Sequence, residues 1–161
     1  MPILTKLKER LDEAKVPYEI FVHPLAYTSQ EIAAKQHVPG AQIAKVVMLD
    51  VDGTLVMGVI AGNHKISIDA ARSSLGVSRV RLATEDEFTP CFPGCEIGAM
   101  PPFGNLFGVQ VIVDPALEKD KYIYFNAGNH VQTVRLAYQD FAALVKPRIS
   151  RLVEVRKKKA A

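Results

Sequence analysis

Three features of this chain have residue types and spacing suited to chemistry. Lys45 follows Ala44 and opens the apolar run Val46-Val47-Met48-Leu49. A lysine at a strand edge commonly guards against edge-to-edge pairing. At the mouth of a pocket it holds a carbonyl or phosphate as a compact cation. The second feature is Gly98-Ala99-Met100-Pro101-Pro102-Phe103-Gly104. Prolines fix such a loop and glycines admit close approach, so it offers backbone groups to a ligand; a surface crossover is the plain alternative. The third is His130, which follows Asn126-Ala127-Gly128-Asn129, a loop at a strand end where functional residues concentrate. Of the other histidines, His23 ends a strand before Pro24 and His37 lies near a helix end, where the dipole favours an imidazolium. His64 falls in the turn Gly62-Asn63-His64-Lys65 and is expected to be exposed.

A competing chemistry sits beside the lysine. Asp50-Val51-Asp52-Gly53-Thr54-Leu55 resembles the nucleophile motif of haloacid-dehalogenase-type phosphatases, with Asp50 as nucleophile, Asp52 as acid/base and magnesium nearby. That reading needs the residues after Asp52 to enter a helix. They read Thr-Leu-Val-Met-Gly-Val-Ile, and β-branched residues and glycine disfavour helix. Asp52-Gly53 between two apolar runs is instead a strong hairpin signal. No Gly-x-Ser-x-Gly, P-loop or HExxH is present, so the chain shows no self-evident nucleophile. Cys91 and Cys95 lie in a Pro/Gly-rich loop without a second pair at zinc spacing. They read as two reduced thiols, with a redox pair as the lesser alternative. No metal or cofactor is expected.

Local patterns place these residues on elements. Leu4, Leu7, Leu11 and Ala14 recur at helical spacing over 3–15. Residues 18–22 alternate as a strand, and Thr28-Ser-Gln-Glu31 is a capping box opening a helix to about His37, before Pro39-Gly40. The Lys45 hairpin follows. A helix over 69–75 closes at Gly76, residues 80–83 form a strand, and Thr84-Glu-Asp-Glu87 is a second capping box. The density of proline and glycine over 89–104 predicts a shaped loop without regular structure. Strands over 109–113, 122–125 and 131–136 precede a helix over 138–145. Strands and helices mix without strict alternation. The expected architecture is a mixed α/β fold of the α+β type, with a mixed sheet flanked by helices.

Length and charge set the outer bounds. The chain has 161 residues, 48% of them apolar, and a net charge of +3. That suits one domain over 1–155 with a basic tail over 156–161. Arg156-Lys157-Lys158-Lys159 carries much of the net charge, so a polyanion would be gripped locally rather than along a broad basic face. No apolar run reaches membrane-span length and the first residues form no signal-peptide core, so no membrane partner and a cytoplasmic location are expected.

The order of motifs resembles the YbaK/ProX family of aminoacyl-tRNA deacylases, whose fold also serves as the editing domain inserted in bacterial prolyl-tRNA synthetases. The resemblance runs over about residues 18–147, from YTSQEIAAKQHVPGAQIAKVVML through PGCEIGAMPPFGN to YIYFNAGNHVQTVRLAYQDFAALV. Its marks are the lysine opening the second strand, Lys45, the Gly-x-x-x-Pro loop from Gly98 to Pro102, and the late His130. The resemblance implies a curved central sheet and a trans-editing hydrolase that removes the wrong amino acid from mischarged tRNA. Lys45, Gly98 and His130 would act at the ester without metal or cofactor. Ala99, Met100, Pro101, Pro102, Phe103, Gly104, Met48, Ile60, Asn126 and Gly128 would hold the substrate. The implied partners are mischarged aminoacyl-tRNA and a cognate synthetase. A non-catalytic module of the same fold, docking on tRNA or a synthetase, is the alternative. Several editing members carry a polar residue where this chain has Val46, so the amino acid removed stays open.

Overall fold

The computed structural model describes residues 4–36 and 38–154. His37 and the basic tail over 156–161 lie outside the described residues. The expected hairpin forms its centre. Strands β2 (Ala44–Val51) and β3 (Thr54–Ala61) pair antiparallel from Ala44↔Ala61 to Val51↔Thr54. Asp52 and Gly53 turn the chain with φ of 49° and 87°. Positive φ at both turn positions matches the strand twist, which is why an Asx-Gly pair sits there. Residues 54–61 are therefore a strand, and the helix required by the phosphatase reading does not exist.

Among the described residues, eight strands form two sheets rather than the one curved sheet anticipated, within the mixed α/β class expected. The five-stranded mixed sheet has the order β4-β2-β3-β5-β8. Its other members are β4 (Val80–Leu82), β5 (Gln110–Val113) and the short β8 (Arg148–Ile149). β4 lies antiparallel to β2, while β5 is parallel to β3 and β8 parallel to β5. The three-stranded antiparallel sheet has the order β1-β7-β6, formed by β1 (Tyr18–Val22), β7 (Gln132–Ala137) and β6 (Tyr122–Asn126). A single parallel bridge, Ile43↔Tyr124, joins the two sheets where β2 begins.

The pleat of the hairpin divides the interior. Met48, Met57 and Val59 face a large core that gathers Leu7 and Leu11 of α1 (Thr5–Ala14), Phe103, Phe125, Leu136 and Phe141 of α5 (Tyr138–Val145). Leu49, Val56 and Ile60 face a second core closed by α3 (Ile68–Leu75) and Leu152. A third, small core places Ile32 and Ala33 of α2 (Ser29–Gln36) against Ile43 and Tyr124.

The caps behave largely as their sequences require. Thr84 and Glu87 close a reciprocal capping box on the single-turn helix α4 (Glu85–Phe88). At Thr28 only half the box forms. Its hydroxyl takes the Glu31 N–H, but Glu31 accepts from that same hydroxyl rather than from the backbone. The region over 89–104 holds 3-10 turns at Thr89–Cys91 and from Gly104, and is otherwise irregular.

Candidate active site

The site is built on two loops fastened to each other. The Glu96 N–H donates to the Gly128 carbonyl and the Gly128 N–H to the Ala99 carbonyl. This joins residues 96–99 to the turn between β6 and β7. His130 closes the junction. Its Nε2 lies 2.8 Å from the Ile97 carbonyl, and Glu96 Oε2 is 4.0 Å away. Gly98 has φ of +81°, and a Cβ there would meet His130 Cε1 at 3.8 Å. Glycine is needed for that backbone conformation rather than for space. Gly98 is exposed, whereas residues 99–104 are buried.

Lys45 approaches from the other sheet. Ile43 and Tyr124 form the bridge between sheets and share the third core. Lys45 and Asn126 each lie two residues further along, on adjacent strands running the same way. Side chains two apart share a strand face, so Lys45 shares the face of Ile43 and Asn126 that of Tyr124. The half-buried ammonium donates to the His64 carbonyl at 2.7 Å. Burial, and then the positive charge of Lys65, hold its pKa below the ordinary lysine value. A cation kept partly dry interacts more strongly with an incoming oxygen than a solvated one does. His64, expected to be exposed, is half-buried because its carbonyl caps this ammonium.

The structure thus brings Gly98 to His130 by contact, while Lys45 lies at the start of β2, next to the Ile43↔Tyr124 bridge to β6. Ile60 is the cross-strand partner of Lys45 and shares its face. Met48 does not: it stands on the opposite face in the large core, so it cannot wall the same pocket. Phe103 is wholly buried between Phe125 and Phe141, with ring centroids 5.6 Å from each. Gly104 is a packing glycine, since a Cβ there would lie 2.9 Å from the Val109 carbonyl. Both hold the loop's C-terminal end in the core rather than offering it to a ligand. Met100 is also core. Gly128 has φ of +102° and packs under Leu4.

Tyr27 was not distinguished by its spacing, yet its ring lies 4.7 Å from His130 and is 61% exposed. The backbone explains the contact: the Ala26 N–H donates to the His130 carbonyl. Ile97 and Leu25, also exposed, extend an apolar rim. Only the fold brings residues 25–27 to a loop a hundred positions away.

The remaining candidates carry structural duties. Asp50 accepts from Gly53 N–H and from Arg81, and Asp52 accepts from the Ser78 and Arg79 N–H groups. These carboxylates fix the hairpin tip to β4 in a shallow cleft with Arg72 and Arg79. Cys91 and Cys95 are free, and burial pushes the Cys95 thiol up to about 11. So high a value keeps it protonated and unsuited to redox exchange at neutral pH. Among the described residues, no three His, Cys, Asp or Glu are grouped to hold a metal ion, and no helix is long and apolar enough to cross a membrane.

Comparison with known proteins shows the family. Residues 23–144 match the aminoacyl-tRNA editing domain, and the chain belongs to that family. By class it is an aminoacyl-tRNA editing domain. The proline–tRNA ligase of Lysinibacillus sphaericus is 31% identical over 107 residues, which are 66% of this chain and 19% of the ligase. The chain therefore spans about a fifth of the length of the curated relatives it matches. The crystal structure of hypothetical protein APE2540 superposes with a TM-score of 0.82 at 20% identity, covering 92% of this chain and 99% of its own. A candidate trans-editing enzyme for prolyl-tRNA synthetase superposes at 0.79 with 19% identity, covering 93% and 96%. At such identities the likeness is one of fold.

Proposed function

We propose that this chain edits in trans, in the cytoplasm, hydrolysing the ester that joins a wrong amino acid to the 3′ end of tRNA. Lys45 carries the reading: it is a half-buried ammonium anchored on a main-chain carbonyl, and Gly98 and His130 form a loop junction in the same domain. Water adds to the ester carbonyl, the bond to the ribose oxygen breaks, and that oxygen leaves with a proton. An aminoacyl ester is already activated, so orientation and charge stabilisation suffice without a protein nucleophile. Lys45 stabilises the developing oxyanion. Gly98 lets the substrate approach the backbone, and His130 orients it.

The curated relatives are proline–tRNA ligases, which supports tRNAPro as the carrier and such a synthetase as the partner. A proline-sized activation pocket admits residues of similar or smaller bulk, so alanine, serine and cysteine are the amino acids to test. One methylene is worth only about 1–3 kcal/mol in such a pocket, which is why a second, hydrolytic site is useful.

The test is a panel of tRNAPro charged with alanine, serine, cysteine or proline. Wild type should release at least one of the first three and spare proline. Lys45→Ala should lower that rate about 10²–10³-fold, the usual cost of removing an oxyanion donor. Tight binding with no release from any member would make the chain a binding module and defeat the proposal.

A further inference from the structure

Two buried acceptors on one sheet face have no donor among the described residues. His23 is 5% exposed, and its Nδ1 lies 2.7 Å from the Pro24 carbonyl. A carbonyl can only accept, so in the neutral ring the proton sits on Nδ1 and Nε2 presents a lone pair. That Nε2 is buried without a hydrogen-bond partner. The same is true of Asn126 Oδ1. The sheet register puts both residues on one face. Phe21, Thr133 and Asn126 form a cross-strand row, and His23 stands two residues beyond Phe21. Its N–H donates to the Val131 carbonyl, which continues the pairing. Lys45 and Asn126 each stand two residues beyond the parallel bridge Ile43↔Tyr124.

We propose that His23 Nε2 and Asn126 Oδ1 bind the protonated α-amino group of the aminoacyl ester, so that this enzyme recognises only substrates with a free amine. The proposal rests on the deacylase reading. Buried acceptors left without donors are costly, and a ligand that supplies donors repays that cost. In the 3′ end of a charged tRNA, the phosphates and the ester are acceptors. The ribose hydroxyl offers one donor and the adenine amine two, but the base is joined to the rest of the tRNA and must stay toward the mouth. The exposed Tyr27 and Ile97 stand there. A serine or cysteine side chain adds one donor, whereas the α-ammonium has three and is common to every candidate amino acid. Lys45 takes the ester oxygen and leaves the ammonium to the two acceptors. Peptidyl-tRNA and N-formylated initiator tRNA, whose amine is acylated, are thereby refused.

The test uses the full chain and two ligand pairs. One is alanyl-, seryl- or cysteinyl-tRNAPro against its N-acetyl derivative, assayed for release. The other is the matching 3′-aminoacylamino-3′-deoxyadenosine, a non-hydrolysable amide, with its amine free or acetylated, assayed for binding. Acetylation should weaken wild-type binding and release by about thirtyfold or more, as loss of charged hydrogen bonds does. His23→Ala should weaken the free-amine ligand roughly tenfold and shrink the acetylation penalty. His23→Asn serves if the alanine variant fails to fold. Less than a threefold acetylation effect in wild type overturns the proposal. So does a penalty that the His23 variants leave whole, or no binding of any free-amine analogue. Amine-dependent binding without release defeats the deacylase reading alone.

Discussion

Single residues in this site act through what surrounds them. Lys45 is a surface-type residue made selective by its placement: burial removes water, His64 fixes the amine, and Lys65 adds repulsion. A lowered lysine pKa means the ammonium is lost at lower pH than usual. Activity should therefore show an alkaline limb below the range of an ordinary lysine. Lys65→Ala removes the secondary cause and should move that limb to higher pH, while burial keeps it below the ordinary value. A pH profile of kcat/KM for the two proteins reads this directly. Of the site residues, Lys45 was legible from sequence because a lysine opening an apolar strand is conspicuous. His23 was not, because a histidine before proline looks like a strand end until its ring nitrogens are assigned partners.

At the scale of elements, capping chemistry transfers from sequence to structure most directly where partners are a few residues apart. Glu87 closes its own box and also receives both terminal nitrogens of Arg81 at 2.7 Å, while Arg81 reaches Asp50 as well. The Arg81 guanidinium, then the Thr84 N–H, hold the Glu87 pKa at about 2 against an ordinary 4.5. A carboxyl lowered on folding stabilises the native state fully above its ordinary value and loses that contribution as pH falls through the folded value. Glu87→Gln should lower the Tm at neutral pH, and the gap to wild type should close between pH 4.5 and about 2. The group is exposed, so the shift at neutral pH will be modest. The glycines of the 98–104 loop divide in a comparable way. Gly104 supports packing and Gly98 supports a positive φ, yet the two read alike in sequence.

Across the whole molecule, the C-terminal segment is secured by one buried carboxylate. Asp114, 2% exposed, follows β5 and accepts from Ala116, Leu152 and Val153 N–H groups. Leu152 in turn completes the second core behind Ile60, the partner of Lys45. Asp114→Ala would strand those N–H groups in the interior. The expected loss is about 2–6 kcal/mol, from the two buried donors of Leu152 and Val153, each costing about 1–3 kcal/mol when unpaired. Denaturant unfolding should show it as a lower midpoint with an unchanged slope. Lys45 would feel the same change, since the core behind its strand loosens.

Sequence alone determined what depends on near neighbours: the Asp52-Gly53 hairpin, the caps at Thr84 and Gly76, the helices over 5–14 and 138–145, and the rigidity of the Pro101-Pro102 loop. Each follows from backbone preference or periodicity within a few residues. Tertiary structure alone decided that the strands split into two sheets joined at Ile43 and Tyr124, that Met48 and Lys45 face opposite ways, and that Tyr27 lies on His130. Those outcomes depend on register between strands distant in the chain. A shift of one residue in the β2–β3 register would turn Lys45 away from the face of Ile60.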